Sequence, residues 1–319
     1  TDLAIAIGTK LGDFTTGSWA NFENENFKLV SINVSRFDAN KHLAQAIVGD
    51  AKISLKDLSD ALGDWRAGEE WNKKSQIELA KWNEHIDKES APSNQEIPSY
   101  VQVIGAVYKN SDPSDIAVTA AGGLVGEVVQ VWRPRELNTH ETEWGFSCMS
   151  YEISGALGIK MANPNKEVIS FVGDGSYLLN NTDIYSSVIT KNKLIIIVCD
   201  NGGFAVINRL QLFKGGNEYN NLLKSSNTPG LVDVDFAKHA ESMGAKSEHV
   251  NSISDLEEAF KRAKKSDVTY VISIKTHAYQ WLEGSAFWDS PTLEIPTTNE
   301  NKEALKLYKE GKSKQRQGV

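Results

Sequence analysis

Two apolar runs, each ending in a short polar turn, constrain this chain more than any other feature. Residues 168–172 (VISFV) run into Gly173-Asp174-Gly175, and residues 194–199 (LIIIVC) run into Asp200-Asn201-Gly202-Gly203. Runs without polar alternation belong to strands covered on both faces, hence to a parallel sheet in a doubly wound α/β domain. Both turns then lie at carboxyl ends of strands, the edge at which open α/β sheets bind ligands. Glycines around Asp174 let the backbone approach a ligand and leave N–H donors unencumbered. Asp174 and Asn201 are 27 positions apart, the length of one strand–helix–strand crossover, so neighbouring strands bring them together. Both offer hard oxygen donors of the kind Mg²⁺ takes, and Mg²⁺ completes its octahedron with phosphate oxygens and water. A lone Gly-Asp-Gly is equally a turn kept for backbone reasons; the second turn, at this spacing, turns the pair into a candidate metal site.

The rest of the chain fits the same architecture. Apolar segments 3–7, 28–34 and 44–48, followed by a helix over 54–62 with Leu55, Leu58 and Leu62 on one face, read as part of a second α/β domain over residues 1–62. Residues 63–97 change character: Trp65, Trp71 and Trp82 stand among Glu and Lys, with Glu69/Lys73 and Glu70/Lys74 at helical spacing. Pro92 and Pro98 close the segment, which is expected to be a helical linker laying its tryptophans on a neighbouring domain. Strand–helix alternation resumes over 98–319, with strands at 116–119, 168–172, 194–199 and 270–274. Helices are expected over 101–109, 147–161, 182–190, 234–243 and 253–263, the one after Gly-Asp-Gly starting near Asn181, and the Lys-rich end as a surface helix with a frayed tail. The opening TDLAIAIGT, a buried strand with no initiator Met before it, leads to the expectation that this is the C-terminal part of a longer protein.

A Gly-Asp-Gly turn followed after one crossover by an Asn-bearing turn resembles the signature of thiamine-diphosphate-dependent enzymes. The resemblance implies that Asp174, Asn201 and the carbonyl of Gly203 hold Mg²⁺ against the cofactor's diphosphate. Asp200 stands where that family commonly has Asn, a departure that touches no ligand. Residues 1–62 are similar to the second half of the central domain of the acetohydroxyacid-synthase-like group, a degenerate nucleotide-binding layer, and 98–290 to its diphosphate-binding domain. The longer strings ETEWGFSCMSYEISGALGIKMA, FAVINRLQ and EGSAFWD are similar to the branch that opens a cyclic 1,2-dione in inositol breakdown.

Further roles follow from the resemblance alone. Met149 matches the apolar residue that props the cofactor into a V shape, although a helix-packing Met would look the same. Ser147 matches the residue whose carbonyl accepts from the 4′-amino group. Ala121, Gly122 and Gly123 of TAAGG match the loop whose amides reach the diphosphate, with Gly173 and Gly175 lining the turn and Ser176 adding a hydroxyl. The implied activity is a thiamine-diphosphate-dependent hydrolysis of a C–C bond in trihydroxycyclohexane-1,2-dione, with the cofactor as electron sink. The alternatives are another 2-keto acid lyase or synthase of the same cofactor, or a non-catalytic cofactor-binding fragment. The Glu that activates the cofactor is expected on an N-terminal pyrimidine-binding domain across a dimer interface, so no catalytic residue is assigned to this chain and a homo-oligomer is implied.

Charge and composition narrow the rest. A net charge of −8 with 24% charged residues argues against nucleic-acid or anionic-membrane partners, and no apolar run is long enough for a transmembrane helix. Cys148 and Cys199 show no disulfide spacing, which fits a cytoplasmic protein. Gly8 and Gly12 follow the first strand, but GTKLG lacks the dinucleotide fingerprint. His140, in a Thr/Glu context, reads as a surface-loop histidine before a substrate-facing one.

Overall fold

The computed structural model describes residues 1–93, 95–143, 145–228, 230, 232–282 and 286–316. Parts of three expected features, Trp144 of ETEWGF, Glu283-Gly284-Ser285 of EGSAFWD and the last three residues of the tail, lie outside them. The chain divides into two compact units: residues 1–76, 213–216 and 283–319, and residues 77–212 and 217–282.

In the first unit β1 (Leu3–Ile7), β2 (Lys28–Asn33) and β3 (Gln45–Val48) form a parallel sheet in that order, with short helices α1 (Asp13–Thr16) and α2 (Arg36–Ala39) and the longer α3 (Ala51–Leu62) between and after them. Ala6, Trp19, Phe27 and Leu29 make a small core. Asp50 caps α3 by accepting from the Ile53 N–H at 3.0 Å. The C-terminal segment is tied down through Arg316. Its N–H donates to the Trp19 carbonyl, its guanidinium to the Phe27 carbonyl, and Gln315 Nε2 to the Ser18 carbonyl. The frayed tail expected there is therefore corrected as far as Arg316: α13 (Asn299–Ser313) and the residues after it are held by partners far away in sequence.

The 63–97 stretch contains α4 (Glu69–Glu89). Trp65 is 63%, Trp71 58% and Trp82 38% exposed.

The second unit holds a six-stranded, all-parallel sheet in the order β5-β4-β6-β7-β9-β8. In chain order come α5 (Tyr100–Lys109), β4 (Ile116–Thr119), α6 (Gly122–Val131), β5 (His140–Thr142), α7 (Tyr151–Ala162), β6 (Val168–Gly173), α8 (Asp174–Leu179), α9 (Thr182–Ile189), β7 (Ile195–Asp200), α10 (Ala205–Phe213), α11 (Phe236–Ser242), β8 (Lys246–Val250), α12 (Ile253–Lys265) and β9 (Tyr270–Lys275). Alternate residues of each strand feed opposite layers. Ile195, Ile197 and Cys199 of β7 join Val103, Val128 and Phe260 of α5, α6 and α12. Ile196 and Val198 join Ile153, Ile184 and Ala240 of α7, α9 and α11. The sheet is thus covered on both faces, as the unbroken apolar runs require.

Three expectations are corrected. Ser147 (φ 52°) and Ser150 (φ 80°) are left-handed, so the helix expected over 147–161 starts only at Tyr151 and Ser147 and Met149 lie on a loop. No free turn follows β6: Asp174 is the first residue of α8, directly after the strand, well before Asn181. His140 is on edge strand β5, half-buried and bonded through Nε2 to the Thr142 hydroxyl at 3.0 Å, with burial lowering its pKa.

Candidate cofactor-anchoring site

Gly173 pairs with Cys199 at the ends of β6 and β7, which sets the two turns side by side. The contact is direct: the Gly203 N–H donates to Asp174 Oδ2 at 2.7 Å. Gly202 and Gly203 have φ of 77° and 141°, a backbone path that glycine takes without strain. Asp200 shapes the same turn, accepting from the Gly202 N–H at 3.0 Å and pairing with Lys275 at 2.7 Å. Asp174 is buried; burial first, and the Asp200 charge second, push its carboxyl up to about 7 against the pull of the Gly203 and Gly175 amides. The Asn201 amide is held at one end only. Its Nδ2 donates to the Tyr100 hydroxyl, while Oδ1 is buried with no hydrogen-bond partner.

Strand β4 lies beside β6, so the TAAGG loop opens on the same sheet edge. α6 begins at Gly122 with no side chain capping its first turn, leaving amide donors of the type that bind anions. Of the three expected donors, Ala121 is already engaged: its N–H donates to Glu152 Oε1 at 3.2 Å. Glu152 is buried, and desolvation raises its pKa. Gly123 packs closely, since a methyl there would lie 2.2 Å from the Trp281 ring.

The loop before α7 reaches the same place. A methyl on Gly175 would meet Phe204 Cε1 at 2.7 Å and Met149 Cε at 3.5 Å, so the Met149 side chain ends next to the Gly-Asp-Gly segment. Ser176 is buried, and its carbonyl accepts from the Ser150 hydroxyl at 2.8 Å. Ser147, exposed, sends its hydroxyl toward the Ala120 carbonyl at 3.4 Å. Glu143 organises the loop by accepting from the Phe146 and Cys148 amides, each at 2.8 Å, and these bonds hold its carboxyl below the usual range.

Comparison with known proteins now decides the family. Residues 120–274 match the thiamine pyrophosphate enzyme C-terminal TPP binding domain, and residues 1–58 the central domain of the same enzymes. The chain belongs to the thiamine pyrophosphate enzymes. Among its relatives in this family is the 3D-(3,5/4)-trihydroxycyclohexane-1,2-dione hydrolase of Bacillus licheniformis, 32% identical over 97% of this chain and 52% of that protein. Proteins of the same name from Clostridium tetani (33%; 90% and 49%) and Geobacillus thermodenitrificans (34%; 93% and 50%) match similarly. The chain spans about half the length of these curated relatives. A solved thiamine diphosphate-dependent 4-hydroxybenzoylformate decarboxylase of Rhodococcus jostii shares the fold, with a TM-score of 0.61 at 19% identity over 79% of this chain and 44% of that one.

The residues present fit the cation and diphosphate that this family name implies. A buried carboxylate and a buried, unpartnered amide oxygen at adjacent strand ends are the hard donors a hydrated divalent cation takes. Among the described residues no group of three or more His, Cys, Asp and Glu gathers, which leaves this mixed oxygen set. Sequence reasoning missed Tyr100, Glu143 and Glu152, whose parts are played across the fold or through backbone amides that no local pattern marks.

Proposed function

We propose that this chain anchors thiamine diphosphate through Mg²⁺ held by Asp174, Asn201 and the Gly203 carbonyl. The amides of Gly122 and Gly123 face the diphosphate, Gly173, Gly175 and Ser176 line it, and Met149 and Ser147 serve the aminopyrimidine end. Ala121 serves the loop through Glu152 rather than as a free donor. When bound, the cofactor supplies an electron sink for breaking a C–C bond next to a carbonyl. The chain's own residues hold and orient it.

The whole protein is then a hydrolase that opens trihydroxycyclohexane-1,2-dione, a reading supported by the names of relatives at 32–34% identity. In it, residues 1–62 are part of the central domain, 63–97 a helical linker and 98–319 the diphosphate-binding domain with its tail. A pyrimidine-binding domain supplies the activating Glu across a dimer interface, and the protein works in the cytoplasm. Among the described residues no helix is long and apolar enough to cross a membrane. Because the chain spans about half of its relatives, a second reading is a cofactor-binding piece without turnover of its own.

The observation that carries the proposal is the 2.7 Å contact joining the two turns beside the unpartnered Asn201 oxygen. Calorimetric titration with thiamine diphosphate tests it. Binding that needs Mg²⁺ is expected, and equal binding with and without the cation would overturn it.

A further inference from the structure

We propose that Tyr100 is the positioning residue that turns the Asn201 amide so that its oxygen, and not its nitrogen, faces the cation. The inference rests on the metal reading above and names a residue outside the 120–274 segment matched by the family's binding domain.

An Asn side chain presents an oxygen and an NH₂ group of nearly the same shape, and a half-turn exchanges them. A cation accepts only the oxygen. The neighbour on the other side of the amide therefore decides how much of the population is competent to bind, and a fractionally populated competent state weakens binding by that fraction. At Asn201 that neighbour is the Tyr100 hydroxyl, which accepts from Nδ2. Oδ1 is left buried and unpartnered.

Tyr100 is itself held fast. It is the first residue of α5, buried, and sits within a capping box in which Ser99 and Gln102 bond each other's backbone at 3.0 and 3.3 Å. Its ring meets Trp281 edge-on, centroids 5.8 Å apart at 79°, and Trp281 in turn packs on Gly123 of the diphosphate-facing helix. The hydroxyl lies near Thr276, whose buried side-chain oxygen has no hydrogen-bond partner among the described residues and is open to the phenol's proton. A phenol can accept from the amide while donating elsewhere, so this arrangement favours one amide orientation. A phenylalanine would keep the ring contacts and lose that preference.

Mn²⁺ titrated into the chain with thiamine diphosphate, with free Mn²⁺ followed by electron paramagnetic resonance, gives a readout independent of turnover. Tyr100→Phe is expected to weaken metal binding roughly 10–100-fold, as loss of an outer partner to a ligand does, with cofactor affinity recovered at saturating metal. Val101→Ala, a buried neighbour on α5, should lower thermal stability without moving the metal affinity. If Asn201→Leu weakens binding while Tyr100→Phe stays within about twofold of the unsubstituted chain, the inference fails and the metal reading stands. If the unsubstituted chain binds no Mn²⁺, or Asn201→Leu changes nothing, the metal reading fails and takes this inference with it. Should Tyr100→Phe not fold, hydrogen exchange at the Asn201 side-chain amide of the unsubstituted chain decides: slow exchange supports the bond to Tyr100, and exchange at the rate of an exposed Asn overturns it.

Discussion

Asp174 carries a carboxylate into a place where burial and a second carboxylate both oppose its charge. Among the described residues, backbone amides favour that charge: Gly203's from the adjoining turn, and those of Gly175 and Asp174 from its own segment. Removing it should therefore cost metal binding far more than folding. Asp174→Ala is expected to abolish Mg²⁺-dependent thiamine-diphosphate binding, a loss of more than about 100-fold, since even outer partners of metal ligands are worth roughly 10–100-fold. The circular dichroism spectrum should stay unchanged. Asn201→Leu should lose less affinity but also some stability, because the Tyr100 hydroxyl is left without its partner at a cost of about 1–3 kcal/mol. Titration calorimetry and thermal melts check both, and unaltered cation dependence in Asp174→Ala would remove the assignment. Glu127 offers a test away from the cation. Burial pushes its carboxyl up to about 7, against the Leu282 N–H it accepts from and the Arg209 charge. A carboxyl with a raised folded pKa stabilises the fold below its unfolded value and loses that contribution as pH rises through the folded one. Relative to Glu127→Gln, the parent chain should thus lose on the order of 3 kcal/mol between pH 4.5 and about 7. Melting curves of the two proteins that run parallel across that range would count against it.

At the level of elements, the strands that were legible are those whose two faces are both covered. β6 and β7 are almost wholly buried, so their apolar runs announce them. β5 (HET) and β8 (KSEHV) are edge strands with polar sequences and side chains mostly half-buried or exposed, and nothing in their periodicity separates them from loops. The loop before α7 was illegible for a different reason: its path is set by Glu143 collecting the amides of Phe146 and Cys148 and by left-handed Ser147 and Ser150. The metal pair was readable because residue type, glycine context and crossover spacing coincide. Tyr100 was not, being 101 residues from the amide it holds. Close packing at α6 gives a prediction whose sign separates local propensity from tertiary contact. Gly→Ala within a helix gains up to about 1 kcal/mol by propensity. At Gly123 the new methyl would sit 2.2 Å from Trp281, and overpacking typically costs about 1–3 kcal/mol. Gly123→Ala should therefore destabilise the chain, and Gly123→Ala/Trp281→Leu should recover part of the loss relative to Trp281→Leu alone. A higher melting temperature for the single substitution would show that α6 moves freely away from Trp281.

For the molecule as a whole, the site lies along an open sheet edge, and several large apolar side chains of the helices around the sheet stand in solvent. Leu178 and Leu179 of α8 and Tyr185 and Ile189 of α9 are exposed together with Met161 of α7. Apolar surface of this kind marks contact with another protein surface, and a polar site left open to water loses much of the strength of its electrostatic contacts. The chain also spans about half of relatives whose names describe dione hydrolysis. Taken alone, it should therefore capture the cofactor weakly, self-associate as concentration rises, and open no dione ring. The test is a ring-opening assay on the chain with thiamine diphosphate and Mg²⁺, repeated after mixing with the N-terminal half of a full-length relative, with light scattering run alongside. Activity that appears only on mixing, with scattering reduced, is the expected result. Turnover by the chain alone would show that the activating group lies within these 319 residues, and buried carboxyls such as Glu152, beside the TAAGG loop, would be the first to substitute.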